Sequence, residues 1–139
     1  MSKYFNDGIL PVPCIADEDL TTWQWKAVGL TASAGFTVQR CTTGSIPTAF
    51  GVLQNDPSKS SEAAVKALGY TKAIGRVANS CWLQPGNYLM AASDGIFEPI
   101  GTSSCAATAR WVDDRQTTAD GSYVGNVYFY GVPASVVNR

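Results

Sequence analysis

Between Gly35 and Ile74 the chain is a series of short β-type runs separated by turn residues. Gly35-Phe36-Thr37-Val38-Gln39-Arg40-Cys41 is followed by a turn at Thr43-Gly44-Ser45, then by Ala49-Phe50-Gly51-Val52-Leu53-Gln54-Asn55-Asp56. A polar loop, Pro57–Ser61, leads into Ala64-Val65-Lys66-Ala67-Leu68-Gly69-Tyr70-Thr71-Lys72-Ala73-Ile74. Runs of this length, bounded by Gly, Pro, Ser and Asp, pack as strands and leave little room for long helices. Glu62–Leu68 admits two readings, a two-turn helix ended by Gly69 or a strand running on through Ile74. The strand is preferred, because the later segment that resembles it is unmistakably β.

The rest of the chain extends the pattern. Val12–Ala16 suits a short edge strand, where Pro13 is tolerated. Trp23 and Trp25 alternate with Gln24 and Lys26 within Thr21–Thr31, which predicts a half-buried strand. Tyr88–Ala92, the hairpin signal Ser93-Asp94-Gly95, and Thr108–Val112 follow. Tyr123–Tyr130 is the strongest strand in the chain, dense in aromatic and β-branched residues.

The two halves also match in order. Gly35–Gly44 parallels Gly86–Gly95, Ala49–Asp56 parallels Thr108–Asp114, loop 57–61 parallels 115–121, and Val65–Tyr70 parallels Gly125–Tyr130. This predicts a compact all-β fold, a barrel or sandwich built from two similar β units. Residues 1–13, with Tyr4, Phe5, Ile9 and Leu10 between turn and proline signals, read as an extended N-terminal arm. Residues 14–139 read as a single β-rich domain.

Composition narrows the function. Histidine is absent, so Ser-His-Asp and Cys-His nucleophile systems and His-ligated metal sites have no residues to build them. Cys14, Cys41, Cys81 and Cys105 form no C-x-x-C pattern and are expected as buried thiols. Adjacent carboxylates such as Asp113-Asp114 or Asp17-Glu18 point to opposite faces of a strand, a poor start for paired acid–base work. The expectation is no enzyme, no cofactor and no metal. The net charge is −1 with no Lys/Arg run, against nucleic-acid binding. No apolar run reaches the ~18 residues needed to span a bilayer. No apolar stretch follows Lys3, so synthesis and use without export are expected. Charged residues make up only 15% of the chain, against a typical ~25%, consistent with a surface partly covered by a partner.

Several runs carry a family resemblance: Gly29-Leu30-Thr31-Ala32, Phe50-Gly51-Val52-Leu53-Gln54-Asn55-Asp56-Pro57, the Ser/Lys loop, Ala63–Ala73, and Leu83-Gln84-Pro85-Gly86-Asn87-Tyr88-Leu89-Met90-Ala91-Ala92-Ser93-Asp94-Gly95. Over residues 27–114 the chain resembles the small capsid decoration, or cement, proteins of tailed bacteriophages. The resemblance implies a structural protein on the outer surface of an expanded head, made in the host cytoplasm. It also implies binding to the major capsid protein and to itself as a homotrimer, bridging capsid subunits against DNA pressure.

The residues expected at such contacts are Tyr4, Phe5, Ile9, Leu10, Trp23, Trp25, Arg110 and Arg115. Pairing of Arg76, Arg110 or Arg115 with Asp113 or Asp114 across a trimer axis is weighed against plain solvated charge. Two alternatives stay open. One is a glycan-binding or host-adhesive β domain using exposed tryptophans. The other is a tail-tube or head-completion protein.

Overall fold

The computed structural model describes residues 8–31, 35–41, 49–77, 81–92, 94–100, 107–113 and 122–130. Tyr4, Phe5, Cys105, Asp114 and Arg115 lie outside them. The described residues are all-β. The first five strands are β1 (Val12–Ala16), β2 (Ala27–Leu30), β3 (Thr37–Arg40), β4 (Gly51–Leu53) and β5 (Glu62–Lys66). They close a barrel in the order β1-β3-β2-β4-β5. The next five are β6 (Gly69–Arg76), β7 (Tyr88–Ala91), β8 (Phe97–Pro99), β9 (Ala109–Trp111) and β10 (Ser122–Phe129). They close a second barrel, β6-β8-β7-β9-β10.

The two orders are the same order. β1 corresponds to β6, β2 to β7, and so on to β5 and β10. Each barrel has one parallel pair, β1 with β3 and β6 with β8, and every other pair is antiparallel. The expected pair of similar β units is therefore present, with a corrected alignment. β4 does correspond to β9, as the sequence suggests. But β3 corresponds to β8, not to the Gly86–Gly95 segment, which holds β7. The sequence match keyed on the turn glycines Gly44 and Gly95, and turn residues recur wherever strands are short.

Glu62–Lys66 is a strand, but it does not run on to Ile74. The chain leaves one barrel and enters the other across Ala67 and Leu68 alone. Gly69 makes the joint at φ +104°, a conformation side chains rarely adopt. Tyr70 thus belongs to β6, and its expected match to Tyr130 crossed the boundary between barrels.

β1 is not an edge strand, since β3 and β5 flank it. Pro13 is still tolerated. Its partner Ala64 donates its N–H to Asn55 Oδ1 at 3.0 Å and accepts from Gln54 N at 2.7 Å, so the ladder loses no bond there. Trp23 and Trp25 do not share a strand either. They lie in the turns before β2, and Trp25 has φ +68°.

The first barrel closes on Cys14, Ala16, Leu20, Trp23, Val28, Val38, Leu53, Ala63 and Val65. The second closes on Ala73, Leu83, Leu89, Phe97, Ala109, Trp111, Val127 and Phe129, and its core also takes in Ala27, Cys41, Ala49 and Val52 from the first barrel. Ala27 N donates to Gly95 O at 2.9 Å and Ile74 N to Trp25 O at 3.0 Å, tying the barrels through their backbones. Because one core draws on both barrels, unfolding is expected as a single transition. Near-UV circular dichroism, far-UV circular dichroism and calorimetry should give the same midpoint. Two separated midpoints would mean that the barrels unfold independently.

Trp111 explains two glycines that would otherwise weaken long strands. A Cβ on Gly75 would lie 2.7 Å from Trp111 Cζ3 and 3.1 Å from Leu83 Cδ1. A Cβ on Gly125 would overlap Cη2 and Cζ2 of the same indole. The ring lies across β6 and β10 in the space those two residues leave open.

Cys14 and Cys41 are buried thiols, as expected, and burial pushes both above their ordinary pKa. Cys81 is free and only half-buried.

Candidate interaction surface

β10 has two faces. Val127 and Phe129 are fully buried, while Tyr128 and, just past the strand, Tyr130 are half-exposed on the other side. The pairing register carries this outer face across the sheet. Tyr128 is opposite Tyr70 on β6 and opposite Arg110 on β9, and Arg110 is opposite Tyr88 on β7. Four adjacent strands therefore present a lateral row, Tyr70, Tyr128, Arg110, Tyr88, with Tyr130 beside it.

The row is packed within itself. The Tyr70 and Tyr128 rings meet edge to face at 5.0 Å, and those of Tyr128 and Tyr130 are 6.1 Å apart. The Arg110 guanidinium sits 4.7 Å from the centre of the Tyr88 ring and donates to Gly86 O at 3.3 Å. These contacts hold the side chains in place and lower the entropy lost when a partner covers them. Burial pushes the Tyr130 hydroxyl above its ordinary pKa and Tyr88 adds to this, with Arg110 opposing, so the phenol is neutral at physiological pH. Exposed Tyr and Arg in one cluster are the residue types most enriched at the energetic centres of protein interfaces.

The duplication gives this face a counterpart. On the first barrel the corresponding strands β2, β4 and β5 align Ala27, Val52 and Lys66 in the same cross-strand relation. Ala27 and Val52 are fully buried there, packed into the second barrel's core. The face that one barrel uses to hold its neighbour is, on the other barrel, the tyrosine–arginine row.

The residues singled out from sequence fall in different places. Arg110 is at the centre of the row. Trp23 is only 8% exposed, donates Nε1–H to Ala27 O at 2.7 Å, and is flanked by Lys26 and Arg40. Trp25 is half-buried at the seam between barrels. Ile9 and Leu10 are 41% and 82% exposed at that same seam, where Lys66 Nζ donates to Ile9 O at 2.6 Å. Tyr4, Phe5 and Arg115 are outside the described residues. Tyr70, Tyr88, Tyr128 and Tyr130 were not singled out, although the alternation of Val127 and Phe129 with Tyr128 and Tyr130 carried the signal for the last two.

Within one copy Arg76 is paired with Asp94 and Glu98. It donates from Nη1 to Asp94 Oδ2 at 2.6 Å and from Nε to Glu98 Oε2 at 2.9 Å, tying β6 to the β7–β8 hairpin. Asp113 is buried and accepts from Asn126 N at 3.0 Å. Burial alone would raise the Asp94 carboxyl, but hydrogen bonds from Arg76 and Ile96 N–H, with the Arg76 charge, outweigh it and hold it below its ordinary value.

The unfolded chain therefore binds that proton more readily than the folded one. The contribution is full above the ordinary carboxylate range and is lost as pH falls through the depressed value. Arg76→Met is expected to cost about 1 kcal/mol at pH 7, modest because Asp94 is 44% exposed. The difference from the parent should shrink as pH falls below the ordinary carboxylate range. Thermal melts of both proteins at several pH values check this, and a difference independent of pH would refute it.

Among the described residues no three Cys, Asp or Glu side chains gather as a metal site, and no helix is long and apolar enough to cross a membrane. No protein-family model matches the chain, and no curated protein matches it. Among solved structures, the chain is similar to the head fiber gp8.5 N base of bacteriophage phi29. The TM-score is 0.60 at 12% sequence identity, over 89% of this chain and 96% of that one. The likeness is one of fold. It spans nearly the whole of both chains, so it takes in the paired barrels and not one barrel alone.

Proposed function

We propose that this chain is a structural protein of a bacteriophage head, held on the outer surface of the capsid. The observation that carries the reading is the fold likeness to a phage head fiber base across 89% of the chain. The resemblance of its sequence motifs to those of decoration proteins supports the same reading by a separate route. In this reading the protein has no catalytic task. It binds the major capsid protein of an expanded head and bridges neighbouring subunits, so that the shell resists the pressure of packaged DNA. The protein is made in the host cytoplasm.

The working form is a homotrimer, with residues 14–139 acting as one unit in each copy. The duplicated fold supports self-association. A face that is covered in the first barrel and exposed in the second suits a head-to-tail contact between copies, and such contacts form a closed ring when the rotation closes. Tyr70, Tyr88, Arg110 and Tyr128 would form the energetic centre of that contact. Ile9 and Leu10, with Tyr4 and Phe5 beyond them on the arm, would reach the shell. Such an arm can cover a large area for its length.

Co-sedimentation with expanded capsids lacking this protein tests the reading. Saturable binding is expected, at a fixed ratio to the major capsid protein. Leu10→Ser should weaken it roughly 5- to 20-fold without changing the melting point, in keeping with loss of one exposed apolar anchor. Absence of binding to any shell, with saturable binding to a glycan instead, would replace this reading with the adhesive one.

A further inference from the structure

The pairing registers put the strands of the two barrels in residue-by-residue correspondence. Ile15, Ala16 and Val38 correspond to Ile74, Gly75 and Phe97, and Ala27, Val52 and Lys66 to Tyr88, Arg110 and Tyr128. The turns agree with this. Trp25 N donates to Leu53 O at 2.8 Å, and its counterpart Gly86 N donates to Trp111 O at 2.7 Å. Both residues have positive φ, +68° and +94°.

The contact between barrels therefore has two halves, each with a counterpart elsewhere on the chain. One half is the first barrel's face at Ala27 and Val52, whose counterpart is the tyrosine–arginine row. The other half is the second barrel's surface at Ile74 and Gly95. Ile74 N donates to Trp25 O at 3.0 Å, and Gly95 O accepts from Ala27 N at 2.9 Å. The counterparts of these two are Ile15 and Phe36, which are 43% and 61% exposed. Leu30 on β2, across β3 from Ile15, is exposed as well. Exposed apolar side chains gathered in this way mark interaction sites.

Phe36 carries a second, independent sign. Its φ is +55°, close to the +78° of Gly95. Glycine adopts such a conformation without strain, whereas a bulky side chain rarely does. The ring belongs to neither core, so packing within the chain does not account for it. Outliers of this kind cluster at functional sites. The charges also match. Glu62 lies opposite Ile15 on β5 and Asp17 follows β1, both exposed, while the row carries Arg110 and no carboxylate.

We propose that the tyrosine–arginine row of one copy packs on Ile15 and Phe36 of the next, with Arg110 meeting Glu62. The inference rests on the self-association proposed above and names the surface that the row meets. The contact repeats, between copies, the one that joins the two barrels within a copy, but it is made by side chains. A Cβ on Gly95 would lie 2.6 Å from Trp23 Cζ2, so glycine is what lets the backbones meet there. Phe36 holds them apart, and its carbonyl already accepts from Ile15 N at 2.8 Å. Copies can thus fold separately and join afterwards.

Sedimentation velocity of the full chain over a micromolar concentration range tests this. The parent is expected to self-associate. Phe36→Gly should weaken association roughly 10-fold or more, while the melting point does not fall, because glycine suits the local backbone. Glu62→Arg should also weaken it roughly 10-fold or more, and adding Arg110→Glu should bring it back to within about 3-fold of the parent. Glu62→Arg takes the net charge from −1 to +1, so bulk repulsion between copies is not what changes. An associating parent whose Phe36→Gly and Glu62→Arg variants associate equally well would overturn this inference and leave self-association standing. A double variant no better than Glu62→Arg alone would overturn it too. A parent that stays monomeric throughout would overturn both this inference and the self-association beneath it.

Discussion

Gly125→Ala is expected to destabilise this protein by about 3 kcal/mol, which lowers its melting point by roughly 10 °C. In a strand the reverse expectation is usual, because alanine restricts the unfolded chain more than glycine does. Here the added methyl would occupy the volume of the Trp111 indole, whose Cη2 and Cζ2 atoms lie where Cβ must go. Trp111 is 2% exposed, so the ring cannot relieve the clash by moving out into solvent without leaving the core. Gly75 bounds the same ring on β6, so Gly75→Ala should also be destabilising.

A double-mutant cycle isolates the cause. Trp111→Phe removes the part of the indole nearest Gly125 and costs stability by leaving a cavity. Combined with Gly125→Ala, the loss should fall short of the sum by at least about 1 kcal/mol, because the methyl fills part of the space. Strict additivity in thermal or urea melts would mean that the two residues do not meet as described.

The second large effect concerns assembly. Arg110→Glu combined with Tyr128→Ala should abolish self-association at micromolar concentration and weaken capsid binding at least 100-fold. Each side chain is of a type whose truncation at an interface centre commonly costs about 2 kcal/mol or more. The charge reversal adds repulsion against any partner acid that Arg110 meets. Neither side chain is in a barrel core, so the monomer should keep its far-UV spectrum. Lys59→Ala, in the exposed β4–β5 loop, is the control. Sedimentation velocity and capsid co-sedimentation together check the outcome. A double variant that keeps the trimer mass and binds shells at an unchanged ratio would remove the row from the interface.

The β content was legible because strand length and turn chemistry are local properties. Thr37–Arg40, Tyr88–Ala91 and Ser122–Phe129 follow from β-type side chains bounded by Gly, Pro and Asp. The two-unit plan was legible for the same reason. The alignment between units was not, because pairing partners are set by distant strands, as when β3 binds both β1 and β2.

Trp23 and Trp25 show the limit of period-two reading. Their alternation is real, but Trp23 enters the first core from a turn, and Trp25 sits at the seam in a left-handed conformation. Arg110 is among the contact residues expected from the sequence. Its tyrosine companions are not, because Tyr70, Tyr88 and Tyr128 are brought together only by the register of β6, β10, β9 and β7. Arg76 likewise found its partners across the β6–β8 parallel pair, at Asp94 and Glu98, a contact that no local pattern encodes.

The most direct test of the central claim is a cryo-electron microscopy reconstruction of phage particles that carry this protein. The account expects paired five-stranded barrels on the outside of the head, in rings of three copies, with the Tyr70–Tyr128–Arg110–Tyr88 row buried between copies and the arm lying on the major capsid protein. Density for the chain in the tail, inside the shell, or nowhere on the particle would contradict it.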